Sequence, residues 1–361
     1  MKIQRLLLLL VIALFIANCV KEINFNADSA DPALVVSGSF TNIKQRHRVY
    51  LSHPNDYNKR IFQHIAGASL LLSDDLGNTW PLVERRDTNL RQYWYETDTI
   101  QGIAGRKYTL DILLPDGKRY RSTTQTLPEA VPLDNVELKG EDLQYVNAQG
   151  ILVREKNAVS YINSTVPADT KNKFLRWEGE MVYIFNEIAK IYDPFGVQKQ
   201  CFVRQRISDQ EIPLARLEDF QAGAAIRRYV GRRRIDNAFE HRVCFTSTQY
   251  TIDREAYQYW SKISAISAPS GTVFDALPAK VRGNVGSLDN PEELVLGYFE
   301  VAGAALERRY LLNGQLGPDY LVPNNPYCNY DWGRWPPVNH PECHDCLVLD
   351  GATTLIPEWW Q

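Results

Sequence analysis

Short runs of alternating apolar and polar residues, separated by turn-forming residues, constrain the fold of this chain more than any other feature. Between residues 33 and 127 such runs recur about every ten residues. They are ALVVSGSF, HRVYLS, ASLLLSD, QYWYETD, RKYTLDILL and RYRSTTQTL. A period of two places the apolar side chains on one face of a β-strand. The spacing therefore predicts an antiparallel, immunoglobulin-like β-sandwich over residues 33–130.

Two of the interruptions have the composition of tight turns. Asp-Leu-Gly-Asn occupies positions 75–78, and Pro-Asp-Gly-Lys occupies positions 115–118. Glycine adopts a positive φ without steric cost, so the second sequence predicts a hairpin with Gly117 in that conformation.

Residues 131–313 form a second region that is rich in β-branched and aromatic residues. Its strand-like runs are AVSYINSTV, FLRWEGEMVYIF, QCFVRQRI, IRRYVGRR, FEHRVCFTSTQY, ELVLGYFEVAG and ERRYLL. A helix is expected from about Asp253 to Ala265, because Asp253 can cap its N-terminus. Apolar residues also recur there at helical spacing, at Ala256, Tyr259, Trp260 and Ile263.

The tail, residues 314–361, is rich in Pro, Asn, Trp and Cys, so packing and cross-links are expected to order it. The predicted fold class is therefore mainly β. An N-terminal immunoglobulin-like antiparallel sandwich is followed by a larger β-rich domain with one or two helices and by a Cys/Trp-rich tail.

The amino terminus carries a targeting signal. Twelve consecutive apolar residues run from Leu6 to Ala17 after a basic start, and a helix of that length rises about 18 Å, too little to span a membrane. Cys19 follows after one further residue, in a context that resembles the lipobox of bacterial lipoproteins, although Asn18 replaces the usual small residue before the cysteine. We expect a signal peptide at 1–18, acylation of Cys19, and a tether at 19–32. The alternative is a plain secretory peptide, but no A-x-A cleavage site lies nearby.

The charge balance argues against a nucleic-acid partner. Lys and Arg total 40 and Asp and Glu total 43, which gives a formal net charge of −3 over 361 residues. The densest charge run contains Arg227, Arg228, Arg232, Arg233 and Arg234. Strand alternation would divide it between two faces, so we interpret it as a solvated hairpin, with lipopolysaccharide or an acidic partner loop as the alternative.

Five cysteines remain if Cys19 is acylated: Cys201, Cys244, Cys328, Cys343 and Cys346. Outside the cytoplasm they are expected to form disulfides and to leave one free thiol. We expect Cys201 to pair with Cys244, and Cys328 to pair with Cys343 or Cys346.

Two alternatives use the same tail cysteines. Cys328, Cys343, Cys346 and His344 have the residue types of a structural zinc site, and Cys343 and Cys346 form a C-x-x-C pair that could be redox-active. We expect neither a metal nor another cofactor.

Aromatic residues are concentrated near the end of the chain. Trp332, Trp335, Trp359 and Trp360 are half of its eight tryptophans. They are candidates for binding a partner or a sugar ring, and the alternative is that they pack the tail itself.

Catalytic signatures are missing from the sequence. It contains no G-x-S-x-G, H-E-x-x-H, Walker or G-x-G-x-x-G motif. We therefore expect a protein that is not an enzyme.

Several segments together resemble a family of Bacteroidota outer-membrane lipoproteins of unknown function. They are LVVSGSFTN, GASLLLSDDLGN, DGKRYRS, EAYQYWSKI, GTVFDALPAKVRGNVGSLDNPEELVLGYFEV and PECHDCLVLDGATTLIPEWW. Members are commonly encoded beside TonB-dependent receptors, and the resemblance implies no catalytic residue. Val20-Lys21-Glu22 also looks like the signal that exports some Bacteroidota lipoproteins to the cell surface.

The resemblance and the anchor imply a location in the outer membrane, held by lipid and facing the cell surface. The leading hypothesis is an accessory of a TonB-dependent receptor that captures or gates its ligand. A free-standing adhesin or glycan-binding module is the alternative, and an extracytoplasmic enzyme is the third.

Overall fold

The computed structural model describes residues 33–54, 63–87, 92–147, 149–187, 198–207, 212–267, 281–322, 328 and 340–360. Strands dominate its first third, as the alternation predicts, and every run named above for that region contains a strand. These strands are β1 (Leu34–Thr41), β2 (Arg48–His53), β3 (Gln63–His64), β4 (Ser69–Asp74), β5 (Thr79–Asp87), β6 (Gln92–Glu96), β7 (Lys107–Leu113), β8 (Arg119–Ser122) and β9 (Gln125–Thr126).

The rest of the described chain is also mainly β. Its strands are β10 (Asn135–Val146), β11 (Leu152–Thr165), β12 (Phe174–Asn186), β13 (Gln200–Arg206), β14 (Leu214–Arg216), β15 (Ala225–Arg234), β16 (Val243–Ile252), β17 (Val285–Ser287), β18 (Val295–Leu311) and β19 (Ala352–Thr353). Helix α1 spans Arg254–Ser267, and short 3-10 helices occur at Leu217–Asp219, Asn237–Phe239, Pro318–Tyr320, Pro341–Cys343 and Cys346–Val348. No helix in these parts of the chain has the length and apolarity needed to cross a membrane.

The Pro-Asp-Gly turn between β7 and β8 is a hairpin, as predicted. Gly117 has a φ of 89°, and the Leu114 amide donates to the Lys118 carbonyl at 2.9 Å.

Strand β5 was not predicted, because Pro81 interrupts its pattern. Proline cannot donate a ladder hydrogen bond, so it usually lies where one side of a strand is unpaired. Only one side of β5 is paired at Pro81, because the strand changes partners along its length. Its first part pairs with β4 up to Leu82, and the remainder, from Val83, pairs with β6.

The two β-rich regions are joined by hydrogen bonds. β1 pairs in parallel with β18, from Leu34 opposite Val295 to Thr41 opposite Ala302, and the other described ladders are antiparallel. The resulting strand order is β17-β8-β7-β4-β5-β6-β2-β1-β18-β16-β12-β13-β19. Segments predicted separately as ELVLGYFEVAG and ERRYLL are one continuous strand, β18.

A second sheet, in the order β10-β11-β15, packs on the region around β12 and β16. Apolar side chains fill the space between the two sheets. Trp177 of β12 clusters with Ile162 of β11 and Val230 of β15, and Met181 of β12 clusters with Ala158 of β11. A polar contact crosses the same interface, where the buried hydroxyls of Ser160 and Ser247 lie 2.7 Å apart.

Helix α1 confirms the predicted helix and its cap. The Asp253 carboxylate accepts a hydrogen bond from the Ala256 amide at 2.8 Å. Its apolar side packs on the sheet, with Tyr257 stacked on Phe174 and Tyr259 tilted against Tyr298, each pair with ring centroids 4.7 Å apart.

The predicted disulfide between Cys201 and Cys244 is wrong. Cys201 bonds to Cys346, across 145 positions of sequence, and Cys244 is a buried free thiol. Cys201 and Cys244 lie on β13 and β16, which flank β12 on opposite sides, so another strand separates them. The predicted bridge from Cys328 to Cys343 is confirmed.

These two disulfides also exclude both alternatives for the tail cysteines. Zinc coordination requires free thiolates, and Cys328, Cys343 and Cys346 are all oxidised. The C-x-x-C cysteines, 343 and 346, are bonded to other cysteines instead of to each other. In the described parts of the chain, no group of three His, Cys, Asp or Glu side chains is placed to hold a metal.

The immunoglobulin-like topology of residues 33–130, and the division into segments 33–130, 131–313 and 314–361, stay predictions. The signal peptide at 1–18 lies outside the described residues, as does the tether at 19–32 with Cys19.

Candidate binding surfaces

One face of the sheet formed by β13, β12, β16 and β18 is partly accessible to solvent, and we name it the open face. Strand alternation buries one set of β16 side chains, including Phe245 and Ser247, while Thr246 and Thr248 are only half-buried. The residues of the open face are Glu178, Glu180, Arg204, Arg206, Thr246, Thr248, Leu306 and Arg308.

Helix α1 closes one end of the open face, where its Trp260 binds a buried ion pair between β12 and β18. The Arg176 guanidinium donates to Glu300 at 2.7 Å, and Trp260 Nε1 donates to the other oxygen of that carboxylate at 2.5 Å. The guanidinium also lies between two rings, 4.3 Å from the centroid of Tyr250 and 4.7 Å from that of Trp260. Both oxygens of the Glu300 carboxylate thus accept hydrogen bonds, and the bond from Trp260 fixes the helix to the sheet.

Two glutamates in the middle of the open face differ in their pKa. Burial would raise the pKa of Glu178, but Arg176 and Arg206 outweigh it and lower that pKa. Burial raises the pKa of Glu180 despite Arg204 at 3.5 Å. Both carboxylates keep contact with solvent, with 26% and 28% of their side-chain surfaces exposed. They can therefore accept hydrogen bonds from a ligand.

The C-terminal tail bounds the other end of the open face with a group that we name the arginine-aromatic cluster: Arg242, Arg308, Tyr310, Trp359 and Trp360. Arg308 lies over the Trp359 ring at 4.5 Å. Arg242 lies 4.9 Å from the Tyr310 centroid and 5.2 Å from that of Trp360. The Tyr310 hydroxyl donates to the Trp359 carbonyl at 2.9 Å, which ties the tail to β18.

The cluster carries two guanidinium groups that form no ion pair with the described chain, although the charge of Glu180 acts on Arg308 from beyond ion-pair distance. Neither Arg242 nor Arg308 has a carboxylate within ion-pair distance among the described residues. Burial lowers the pKa of Arg308, and its Nε is buried without a hydrogen-bond partner from the same part of the chain. By contrast, Arg204 and Arg206 are paired with Glu180 and Glu178.

The free thiol of Cys244 lies beneath this cluster and is fully buried. Burial raises its pKa to about 11. The thiol therefore stays protonated at neutral pH and is a poor nucleophile.

A second candidate surface is the tip of the hairpin formed by β10 and β11, which we name the hairpin tip. These strands pair up to Val146 opposite Leu152, whereas β15 pairs with β11 only from Asn157 onward. The two-stranded part thus extends about 15 Å past its neighbour. Four apolar side chains at its end are exposed: Tyr145 (41%), Val146 (65%), Ile151 (60%) and Leu152 (54%).

The arginine run on β15 is divided between two faces, as predicted. Arg227 lies 3.6 Å from the Tyr161 centroid and pairs with Glu137 at 3.0 Å, while Arg228 faces Trp177 on the other side. Arg233 pairs with Asp236 and Arg234 with Glu155. Since these pairs neutralise much of its charge, the run is a weaker candidate for binding a polyanion than Arg308.

The predicted tryptophans have different outcomes. Trp359 and Trp360 are half-buried members of the arginine-aromatic cluster, and Trp332 and Trp335 lie outside the described residues. Sequence reasoning missed Arg308, Glu178 and Glu180. A signal for the two glutamates was present in the run FLRWEGEMVYIF, because Arg176, Glu178 and Glu180 alternate on one face of a strand whose other face is apolar.

The fold and these surfaces define a mainly β, disulfide-linked protein with one charged, partly open sheet face. The family model described as a domain of unknown function (DUF4249) matches residues 20–308, and the chain belongs to that family. A search of curated proteins found no match.

Solved structures offer only distant similarity. A pullulanase from Anoxybacillus sp. LM18-11, complexed with maltotriose, aligns with a TM-score of 0.18 and 11% identity over 60% of this chain. The match spans 24% of the pullulanase chain. A chicken TCR structure aligns with a TM-score of 0.17 and 10% identity, over 56% of this chain and 99% of its own. At such TM-scores neither structure bears on the fold or function of this chain.

Proposed function

We propose that the protein is a lipid-anchored outer-membrane lipoprotein of the cell surface, and that it assists a TonB-dependent receptor by capturing or gating its ligand. The lipobox at Cys19 and the family resemblance support the location. Two disulfides fit an oxidising compartment outside the cytoplasm.

The observation that carries the partner role is the hairpin tip. Exposed apolar side chains grouped on a projecting element are typical of protein interaction sites, since their burial in a partner removes apolar surface from water. Val146 and Leu152 lie directly opposite each other, and Tyr145, one position before Val146 on β10, points to the other face. Both faces of the tip are therefore apolar, which suits insertion between loops of a receptor.

Affinity purification from solubilised outer membranes tests the proposal. The wild-type protein should recover a barrel receptor in stoichiometric amount. The double substitution Val146→Ser and Ile151→Ser should abolish that recovery while the melting temperature changes little, because both side chains are exposed. Leu76→Ser with Ile103→Ser is the matched control, since these residues are exposed to 73% and 58% in another part of the chain. Recovery of the receptor by the hairpin-tip variant would contradict the proposed docking surface, and absence of any receptor would contradict the accessory role.

A free-standing adhesin or glycan-binding module is the second candidate, and the arginine-aromatic cluster favours it. Recovery of the wild-type protein alone would support this candidate. An extracytoplasmic enzyme is the third candidate, and its acid and base would have to be sought among the carboxylates of the open face.

A further inference from the structure

We propose that the open face binds an anionic saccharide, whose acidic group pairs with Arg308 and whose ring packs beside Trp359. This inference deepens the ligand-capturing part of the proposed function and rests on it. It uses different residues from the hairpin tip, so the two can be tested separately.

The charge of Arg308 sets the sign of the ligand. A guanidinium that is half-buried and lacks an acidic partner in the described chain has lost hydration without gaining an ion pair. Its Nη atoms can bind a carboxylate through two parallel hydrogen bonds, a geometry that planar guanidinium favours. Neighbouring Arg242 adds a second unpaired cation to the same cluster. A neutral ligand would leave both guanidinium groups without an ion pair.

The aromatic residues favour a ligand with an apolar ring face. Trp359 and Trp360 are half-buried, so parts of their rings remain in contact with solvent. Contact of a sugar ring with such a surface buries apolar C–H groups while the polar edges stay available. The Tyr310 hydroxyl and the T-shaped contact between Phe202 and Trp360 fix the orientation of these rings before a ligand binds.

Hydroxyl-binding groups lie in line with Arg308. Glu180 is opposite Thr246 in the β12–β16 ladder, and Thr246 is opposite Arg308 in the β16–β18 ladder. Adjacent strands are about 4.8 Å apart, so this row spans about 10 Å, which accommodates about two sugar residues. The Glu180 carboxylate and the Thr246 hydroxyl can bind sugar hydroxyls along this row, and Glu178 and Thr248 can do so in the adjacent row.

Calorimetric titration of the purified mature protein tests the inference. The anionic probes are trigalacturonic acid, a hyaluronan tetrasaccharide and sialyllactose, and the neutral probe is cellotriose. We expect at least one anionic probe to bind at least about tenfold more tightly than cellotriose. Its affinity should fall as NaCl is added, because part of the attraction is between charges. Inorganic phosphate, which has the charge without the ring, should bind much more weakly.

Arg308→Gln should weaken binding of the best anionic probe by about tenfold or more, because a charge-assisted pair is lost. Arg309→Gln is the matched control. Arg309 is the next residue of the same strand, it points to the opposite face, and it pairs with Glu307 at 2.5 Å. Arg308→Lys, which keeps the cation but not the paired geometry, should give an intermediate affinity and remains informative if Arg308→Gln does not fold.

Three results would overturn the inference: no binding of any anionic probe, equal binding of cellotriose or phosphate, or an equal effect of the Arg308 and Arg309 substitutions. Because only purified protein is used, these results are independent of whether a receptor is recovered from membranes. Saccharide binding without a receptor would leave this inference standing and refute the accessory role.

Discussion

His47 is a neutral imidazole buried in the N-terminal core. It is 4% exposed, its Nε2 donates to the Ile100 carbonyl at 3.2 Å, and its ring contacts Phe40 edge-on at 4.6 Å. Burial lowers its pKa from 6.5 to about 4, and a hydrogen bond to the Ile100 carbonyl only partly opposes this shift. Between about pH 6.5 and pH 4, therefore, His47 is unprotonated in the folded protein and protonated in the unfolded chain.

This residue should make the protein less stable in mild acid. Between about pH 6.5 and pH 4 the unfolded state binds more protons at this site, so the free energy of unfolding falls as the pH is lowered. The His47 contribution is complete above pH 6.5, and about 2 kcal/mol of it should be lost by about pH 5. Urea denaturation of wild type and His47→Gln above pH 6.5 and at about pH 5 measures this loss of stability, since the variant lacks the titrating group. Equal pH dependence of the two proteins would contradict the assignment.

At the scale of elements, the sequence predicts more of the fold than of the site. Alternation identified β1, β7 and most other strands, and the cap at Asp253 located α1, because both signals are local. Local patterns could not predict that β5 changes partners at Leu82 or that Cys244 and Cys201 are separated by β12. Pairing partners depend on contacts between distant segments, and those contacts also decide that Arg308 lies on an open face.

The N-cap of α1 should contribute measurably to stability. Asp253 holds the helix in the position where Trp260 and Arg176 bind Glu300, so its loss affects more than the first turn. Asp253→Ala should lower the free energy of unfolding by about 1 kcal/mol, and Asp253→Asn by less, because asparagine is an equally good cap. Urea denaturation at neutral pH measures both. The prediction fails if Asn is as destabilising as Ala.

At the scale of the whole molecule, the disulfide from Cys201 to Cys346 joins the C-terminal tail to β13, next to where β19 pairs with that strand. The buried Glu187 carboxylate binds the Cys346 amide at 2.9 Å and the Lys199 amide at 3.0 Å. The tail that carries Trp359 and Trp360 is therefore attached to the sheet by a covalent bond and by hydrogen bonds. The arginine-aromatic cluster depends on this attachment, because two of its rings come from the tail.

The disulfide-bonded cysteines and the free Cys244 should differ in how much they stabilise the native protein. Closing the loop between Cys201 and Cys346 is worth about 5 kcal/mol on the chain-entropy model, and the shorter Cys328–Cys343 loop about 3 kcal/mol. Cys346→Ser should therefore lower the melting temperature strongly and Cys328→Ser moderately. Cys244→Ser breaks no cross-link, so it should lower the melting temperature less than Cys346→Ser. Cys244 should resist iodoacetamide in the native state, because it is buried and protonated, and react once urea is added. Mass mapping of the alkylated protein checks the pairing. Rapid alkylation of native protein at Cys346, or a peptide linking Cys201 to Cys244, would contradict it.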